Sequence, residues 1–210
     1  MEWSLVVQWS WVIAAYLLGS LSAAIIVCQL LGLPDPRQGG SGNPGATNVL
    51  RLGGKGAAAA TLGGDVLKGV LPVLAARLWA PGELIPAVAA LAAFLGHLYP
   101  VFFGFRGGKG VATALGGLIA LAPTVAGIGA LVWLAMAAVF RISSLAALVA
   151  AVAAPVAAWW LGLAQPVVVV TAVMAVLLIW RHRSNIANIA AGRESRIGDK
   201  KKRAAEDRAG

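Results

Sequence analysis

Long apolar runs separated by short polar breaks dominate this chain. Runs near residues 3 to 32, 57 to 79, 84 to 103 and 166 to 181 each approach or exceed the roughly 20 helical residues that cross a hydrocarbon core about 30 Å thick. The block from 111 to 163 is apolar almost throughout, broken only by Pro123, Arg141, Pro155 and Gly162. If residues 111 to 140 cross twice, with a short span ending near Pro123 and a second running to Phe140, there are seven crossings; if once, six.

The parity of the count decides between them. With seven, the loop 34 to 56, the segment 104 to 110, Arg141 and the chain from Arg181 onward share one face and carry nearly all the Lys and Arg. The opposite face keeps little beyond Glu2, Arg77 and Glu83. The positive-inside rule then places the basic face in the cytoplasm. The expected architecture is an all-α, polytopic integral membrane protein: a bundle of seven transmembrane helices, N-terminus external and C-terminus cytoplasmic.

Composition strengthens this reading. The 210 residues are 60% hydrophobic and 12% charged, with a mean hydropathy of +0.83, whereas soluble domains carry about a quarter charged residues. No stretch is left for a separate soluble core, so residues 1–196 read as a single transmembrane domain. Residues 197–210, IGDKKKRAAEDRAG, read as a charged, disordered cytoplasmic tail. The net charge of +9 fits cytoplasmic loops better than nucleic-acid binding, and leaves phosphate-bearing ligands and anionic lipids as partners. Cys28, the only cysteine, excludes a disulfide framework and reads as a packing residue. The N-terminal run lacks a positive n-region and is expected to stay as the first span. The tryptophans read as interfacial anchors.

Three polar stretches break the pattern. The first, GGSGNPGATNVLRLGGKG from Gly39 to Gly56, contains a G-x-G-x-x-G match but no βαβ unit around it, and neither GGK completes a Walker A motif. Its glycines would let the backbone approach an anion, with Ser41, Asn43, Thr47 and Asn48 as donors and Arg51 as the charge. The second, FRGGKGVAT from Phe105 to Thr113, repeats the theme at a helix start, with Lys109 as the point charge. Topogenic charge alone would account for the basic residues of these loops but not for their glycines. The third, RHRSNIANIAAGRE from Arg181 to Glu194, holds His182 and Asn185, which share a face if the segment is helical. Inside the second run, Asp65 and Lys68 are also three apart and read as a buried ion pair or a ligand site. Arg141 with Ser143 and Ser144 forms a weaker donor set, and His97 reads as a packing or hydrogen-bonding residue.

Taken in order, SGNPGATNVLR, DVLKG, GHLYPVFFGFRGGKGVAT, HRSNI and GRE resemble the three-motif pattern of the bacterial acyl-phosphate:glycerol-3-phosphate acyltransferases, the PlsY family. The resemblance covers nearly the whole chain. It implies a metal-independent, cofactor-free enzyme of the bacterial inner membrane that moves an acyl group from acyl phosphate to the 1-hydroxyl of glycerol 3-phosphate. The products are lysophosphatidic acid and phosphate, and the reaction opens phospholipid synthesis. By position, Ser41, Arg51, Lys109, His182 and Asn185 are implied as catalytic. Gly42, Asn43, Gly45, Thr47, Asn48, Gly107, Gly108, Gly110, Ser144 and Glu194 are implied to bind substrate. The lipid bilayer is the implied setting, with room for a soluble enzyme that supplies acyl phosphate.

The residues agree with this. The H-x-x-x-x-D motif of thioester-dependent acyltransferases is absent, since the fifth residue after His97 is Phe102 and after His182 is Ala187. There is no Cys/His metal cluster and no G-x-S-x-G. An acyl phosphate is a mixed anhydride that needs positioning and charge neutralisation more than covalent help, and two basic glycine loops suit two phosphates. The proton acceptor is left open between His182 and a substrate phosphate. A small anion transporter or channel is the alternative class, with a structural membrane scaffold behind it.

Overall fold

A computed structural model describes residues 5–80 and 82–197, so the expected tail lies almost wholly outside the described residues. The regular elements among the described residues are all helices: α1 (Leu5–Gly19), α2 (Ala23–Leu30), α3 (Ala46–Trp79), α4 (Leu84–Leu98), α5 (Val111–Leu121), α6 (Pro123–Phe140), α7 (Ser143–Trp160), α8 (Gln165–Arg181) and α9 (Arg183–Ala190), with a 3-10 turn at Val101–Phe103. Four segments are long and apolar enough to cross a membrane unaided: α3, α4 with its 3-10 turn, α6 and α7. Two bent pairs, α1 with α2 at 41° and α8 with α9 at 57°, raise the number to six. The remaining apolar helix, α5, has only 11 residues and spans about 16 Å at 1.5 Å per residue.

Local sequence explains the breaks. Pro123 opens α6 at its first turn, where its missing N–H costs nothing, but it could not continue α5. The last carbonyls of α5 are instead capped by Arg77, whose Nη1 donates to Ala120 O at 2.8 Å and Leu121 O at 3.1 Å. Between α1 and α2 the break at Ser20 to Ser22 leaves Leu21 O free of helical bonding, and Lys68 Nζ donates to it at 2.8 Å.

One boundary differs from the sequence expectation. Residues 34 to 56 were expected as a loop, yet α3 already begins at Ala46 and runs through a kink at Gly54, where φ is +79° and ψ −169°. ATNVLRL is a competent helix start behind an extended Gly45, and the neighbouring glycines do not dissolve it.

The main core lies where α3, α4, α5, α6, α7 and α8 meet, around Val73, Phe94, Leu98, Leu118, Leu121, Val125, Val167, Val170 and Met174. Without a hydrophobic drive between helices in lipid, close packing takes over. A Cβ on Gly116 of α5 would lie 2.1 Å from Val66 O of α3, so these two helices touch backbone to backbone. On α6 only Val125 and Ala126 are buried. Ile128 packs partly against the core, while Leu131, Leu134, Val139 and Phe140 face outward, as a membrane-facing helix requires.

Candidate active site

The first loop, between α2 and α3, is organised by an asparagine. Asn48, buried in the first turn of α3, donates through Nδ2 to Pro36 O at 2.8 Å and Gly39 O at 2.9 Å, while its Oδ1 accepts the Ser41 N–H at 2.8 Å. Gly40 adopts φ +63°, and a Cβ there would lie 2.1 Å from Asn48 Oδ1. Asn48 was expected as an anion donor. Both its N–H groups are committed to loop carbonyls, so it shapes the loop instead. Arg37 closes the same loop on Asp35, with Nη2 2.7 Å from Oδ2, and reaches across to Phe103 O at 3.2 Å. The hydrogen bonds from Arg37 hold the Asp35 carboxyl below its ordinary range.

The second loop lies against the end of α4. Gly108 N–H donates to His97 O at 3.1 Å, so it too is spent inside the protein rather than offered to an anion. A Cβ on Gly108 would lie 2.3 Å from His97 Nε2 and 2.8 Å from Pro44 O, which makes this the point where the two loops touch. Gly110, at φ +86°, turns the chain into α5 under the Phe94 ring. The carbonyls of Gly107 and Gly108 both accept from Arg181, at 2.8 Å from Nη2 and 3.1 Å from Nε, and the guanidinium lies 5.7 Å over the Tyr99 ring. Arg181 was read in the sequence only as a flanking charge.

From this loop a polar chain runs across the mouth of the bundle. Lys109 Nζ donates to Asn185 Oδ1. Asn185 Nδ2 donates to Glu194 Oε1 at 2.6 Å, and Ser144 Oγ donates to the same oxygen at 2.7 Å. Burial pushes the Lys109 ammonium below the usual lysine range; Glu194 opposes the shift, and Arg181 and Arg51 add to it. Arg51 is bonded to Ser195, Nη2 to Oγ at 2.6 Å, and Thr47 Oγ1 lies 3.4 Å from Ser143 Oγ. Ser41 and Gly42 are exposed on the loop surface, with Asn43 partly covered.

His182 sits at the break between α8 and α9, so the shared helical face expected with Asn185 does not arise from a continuous helix. Its ring is buried, and Nδ1 is 2.8 Å from Leu178 O. A carbonyl can only accept, so Nδ1 carries the proton and Nε2 is left without one.

The three polar stretches therefore meet in one place. Lys109, bonded to Asn185, feels the charges of Glu194, Arg181 and Arg51, and with Ser144 on Glu194 this makes a positive, hydroxyl- and amide-bearing site suited to phosphate groups.

The comparisons with known proteins show the family. The family model described as "Glycerol-3-phosphate acyltransferase" matches residues 9–192. A glycerol-3-phosphate acyltransferase of Methylococcus capsulatus is 56% identical over 196 residues, covering 93% of this chain and 98% of the relative. One from Halorhodospira halophila is 54% identical over 187 residues, covering 89% and 95%. Among solved structures, PlsY (YgiH), described as an integral membrane glycerol 3-phosphate acyltransferase, superposes in its glycerol 3-phosphate form with a TM-score of 0.88 at 42% identity, covering 93% of this chain and 98% of that one. Its lysophosphatidic acid form gives 0.83 at 41%, covering 90% and 95%. With a match this long and relatives this similar, the chain belongs to the glycerol-3-phosphate acyltransferase family.

Proposed function

We propose that this protein transfers an acyl group from acyl phosphate to the 1-hydroxyl of glycerol 3-phosphate at the cytoplasmic mouth of a seven-span bundle in the bacterial inner membrane. Residues 1–196 would act as one domain. The observation that carries the reading is the meeting of three separate stretches at the chain from Asn185 to Ser195: Lys109 on Asn185, Asn185 and Ser144 on Glu194, and Arg51 on the adjoining Ser195. Arg51, Lys109 and Arg181 supply positive charge for two phosphates, while Asn185 and Ser144, held by Glu194, orient the acceptor. Counting each bent pair as one span and α5 as a short seventh supports the topology, because Arg51, Lys109 and Arg181 then lie at the end opposite Arg77 and Glu83.

In the step itself, the acceptor hydroxyl oxygen attacks the acyl carbonyl carbon, the bond from that carbon to the phosphate oxygen breaks, and phosphate leaves with the bonding pair. The hydroxyl proton goes to a phosphate oxygen. A phosphate monoester, whose second pKa is about 6, can accept it near neutral pH. The His182 ring is buried and engaged through Nδ1 with Leu178 O. A soluble enzyme that delivers acyl phosphate suits so reactive a donor.

The test is acyl transfer by the purified protein to labelled glycerol 3-phosphate, comparing palmitoyl phosphate with palmitoyl-CoA and palmitoyl-carrier protein. Lysophosphatidate from acyl phosphate alone is expected; product from a thioester, or no product from folded protein, contradicts the reading.

A further inference from the structure

Beneath the second glycine loop lies a group of ionisable side chains that the proposed chemistry does not use. Lys68 Nζ is 2.9 Å from Asp65 Oδ1, and the two side chains are 5% and 3% exposed. His97 Nδ1 is 3.4 Å from the same Asp65 oxygen, with its side chain 6% exposed. Such groups inside a membrane bundle are costly unless paired, and they tend to be retained for function.

Each member of the group also grips a different part of the protein. Lys68 donates to Leu21 O in the α1–α2 break, Asp65 belongs to α3, and His97 to the end of α4. The other ring nitrogen of His97 faces Gly108, so closely that a Cβ there would lie 2.3 Å from Nε2, and the His97 carbonyl holds the Gly108 N–H. The next residue is Lys109.

We propose that Lys68, Asp65 and His97 are positioning residues: a buried strut that runs from the α1–α2 break through α3 and α4 to Gly108 and fixes where Lys109 stands. None of them touches substrate. An ion pair needed only to neutralise buried charge within α3 would end at Asp65 and Lys68. Here the third member carries the contact to the backbone of the loop, where an error of an ångström in a charged group's position can cost about a hundredfold in rate. The inference rests on the reading of Lys109 as a phosphate-handling residue.

The test separates the two halves of the strut. His97→Asn offers an amide near the Nδ1 position and keeps the approach to Asp65 but removes the ring from Gly108. His97→Gln reaches toward Gly108 but gives up Asp65. The double variant Asp65→Asn with Lys68→Met removes both buried charges together, a replacement that helical cores often tolerate. Thermal unfolding in detergent and kcat and KM for glycerol 3-phosphate are measured for each, beside Thr61→Val, an equally buried polar position on α3, and Lys109→Ala.

The expected result is a fall in kcat of about tenfold to a hundredfold in the three strut variants, with KM and unfolding temperature close to wild type and Thr61→Val unchanged. Wild-type kcat in folded strut variants overturns the proposal. So does a loss of activity that tracks loss of folded protein, or an equal loss in Thr61→Val, since either marks general sensitivity of the core. If Lys109→Ala keeps full activity, the site reading itself has failed; if Lys109→Ala is inactive and the strut variants are normal, only the strut has.

Discussion

Lys109 in the second glycine loop and Asn185 in α9, 76 positions apart in the chain, are joined directly, Nζ to Oδ1. Asn185 in turn donates to Glu194, so a lysine with a lowered pKa is linked to a carboxylate through one amide. The amide separates the two charges while fixing both. On the proposed reading, an arriving phosphate displaces the Asn185 oxygen from Lys109 without having to break a tight ion pair, which would cost far more.

Asn48 holds the first loop with three hydrogen bonds. Each is worth about 1 kcal/mol net, and buried carbonyls left without partners cost more. Asn48→Ala is expected to open the loop to limited proteolysis and to lower activity by at least an order of magnitude. Asn48→Asp should do no better, because it turns both donors into acceptors facing the Pro36 and Gly39 carbonyls. Protease resistance and turnover measured side by side check this.

Two glycines offer a matched contrast. Gly108→Ala forces a Cβ against His97 and the Pro44 carbonyl and is expected to abolish detectable turnover. Gly127→Ala, at an open position on α6, should leave turnover intact and stabilise the helix by about 0.5–1 kcal/mol. Comparable losses in both variants would remove the special role of the second loop.

The identity of the proton acceptor gives a pH prediction. If a phosphate oxygen accepts the proton, the acid limb of kcat lies near pH 6, where phosphate monoesters titrate, and persists in His182→Asn, whose amide can still donate to Leu178 O. Disappearance of that limb in the variant would make His182 the base.

Apolar runs made the helices legible, and the short α5 was foreseen because Pro123 ends any helix that precedes it. Other boundaries were not. The α1–α2 break falls in LGSLSAA, where no proline marks it, and its free carbonyl is answered by Lys68 from another helix. The start of α3 was hidden because glycine density reads as loop, although a single kink at Gly54 absorbs it.

The same limit governed the site. Lys109, Asn185, Ser144 and Glu194 were named from their motifs. Asn48 was misread because sequence does not say whether an amide faces a ligand or its own loop. Arg181 went unnoticed because a basic residue closing a span is what topology requires anyway. Spacing of three exposed the Asp65–Lys68 pair, but His97 joins it from a different helix, beyond the reach of any local pattern.

The most direct measurement is acyl transfer from palmitoyl phosphate to labelled glycerol 3-phosphate by folded Lys109→Met. This side chain keeps most of the apolar stem and loses the charge. If the convergence of the three stretches is the phosphate-handling centre, kcat/KM falls by about a hundredfold to a thousandfold, with the unfolding temperature preserved. A folded Lys109→Met variant with wild-type kcat/KM would contradict that claim and place the chemistry elsewhere in the bundle.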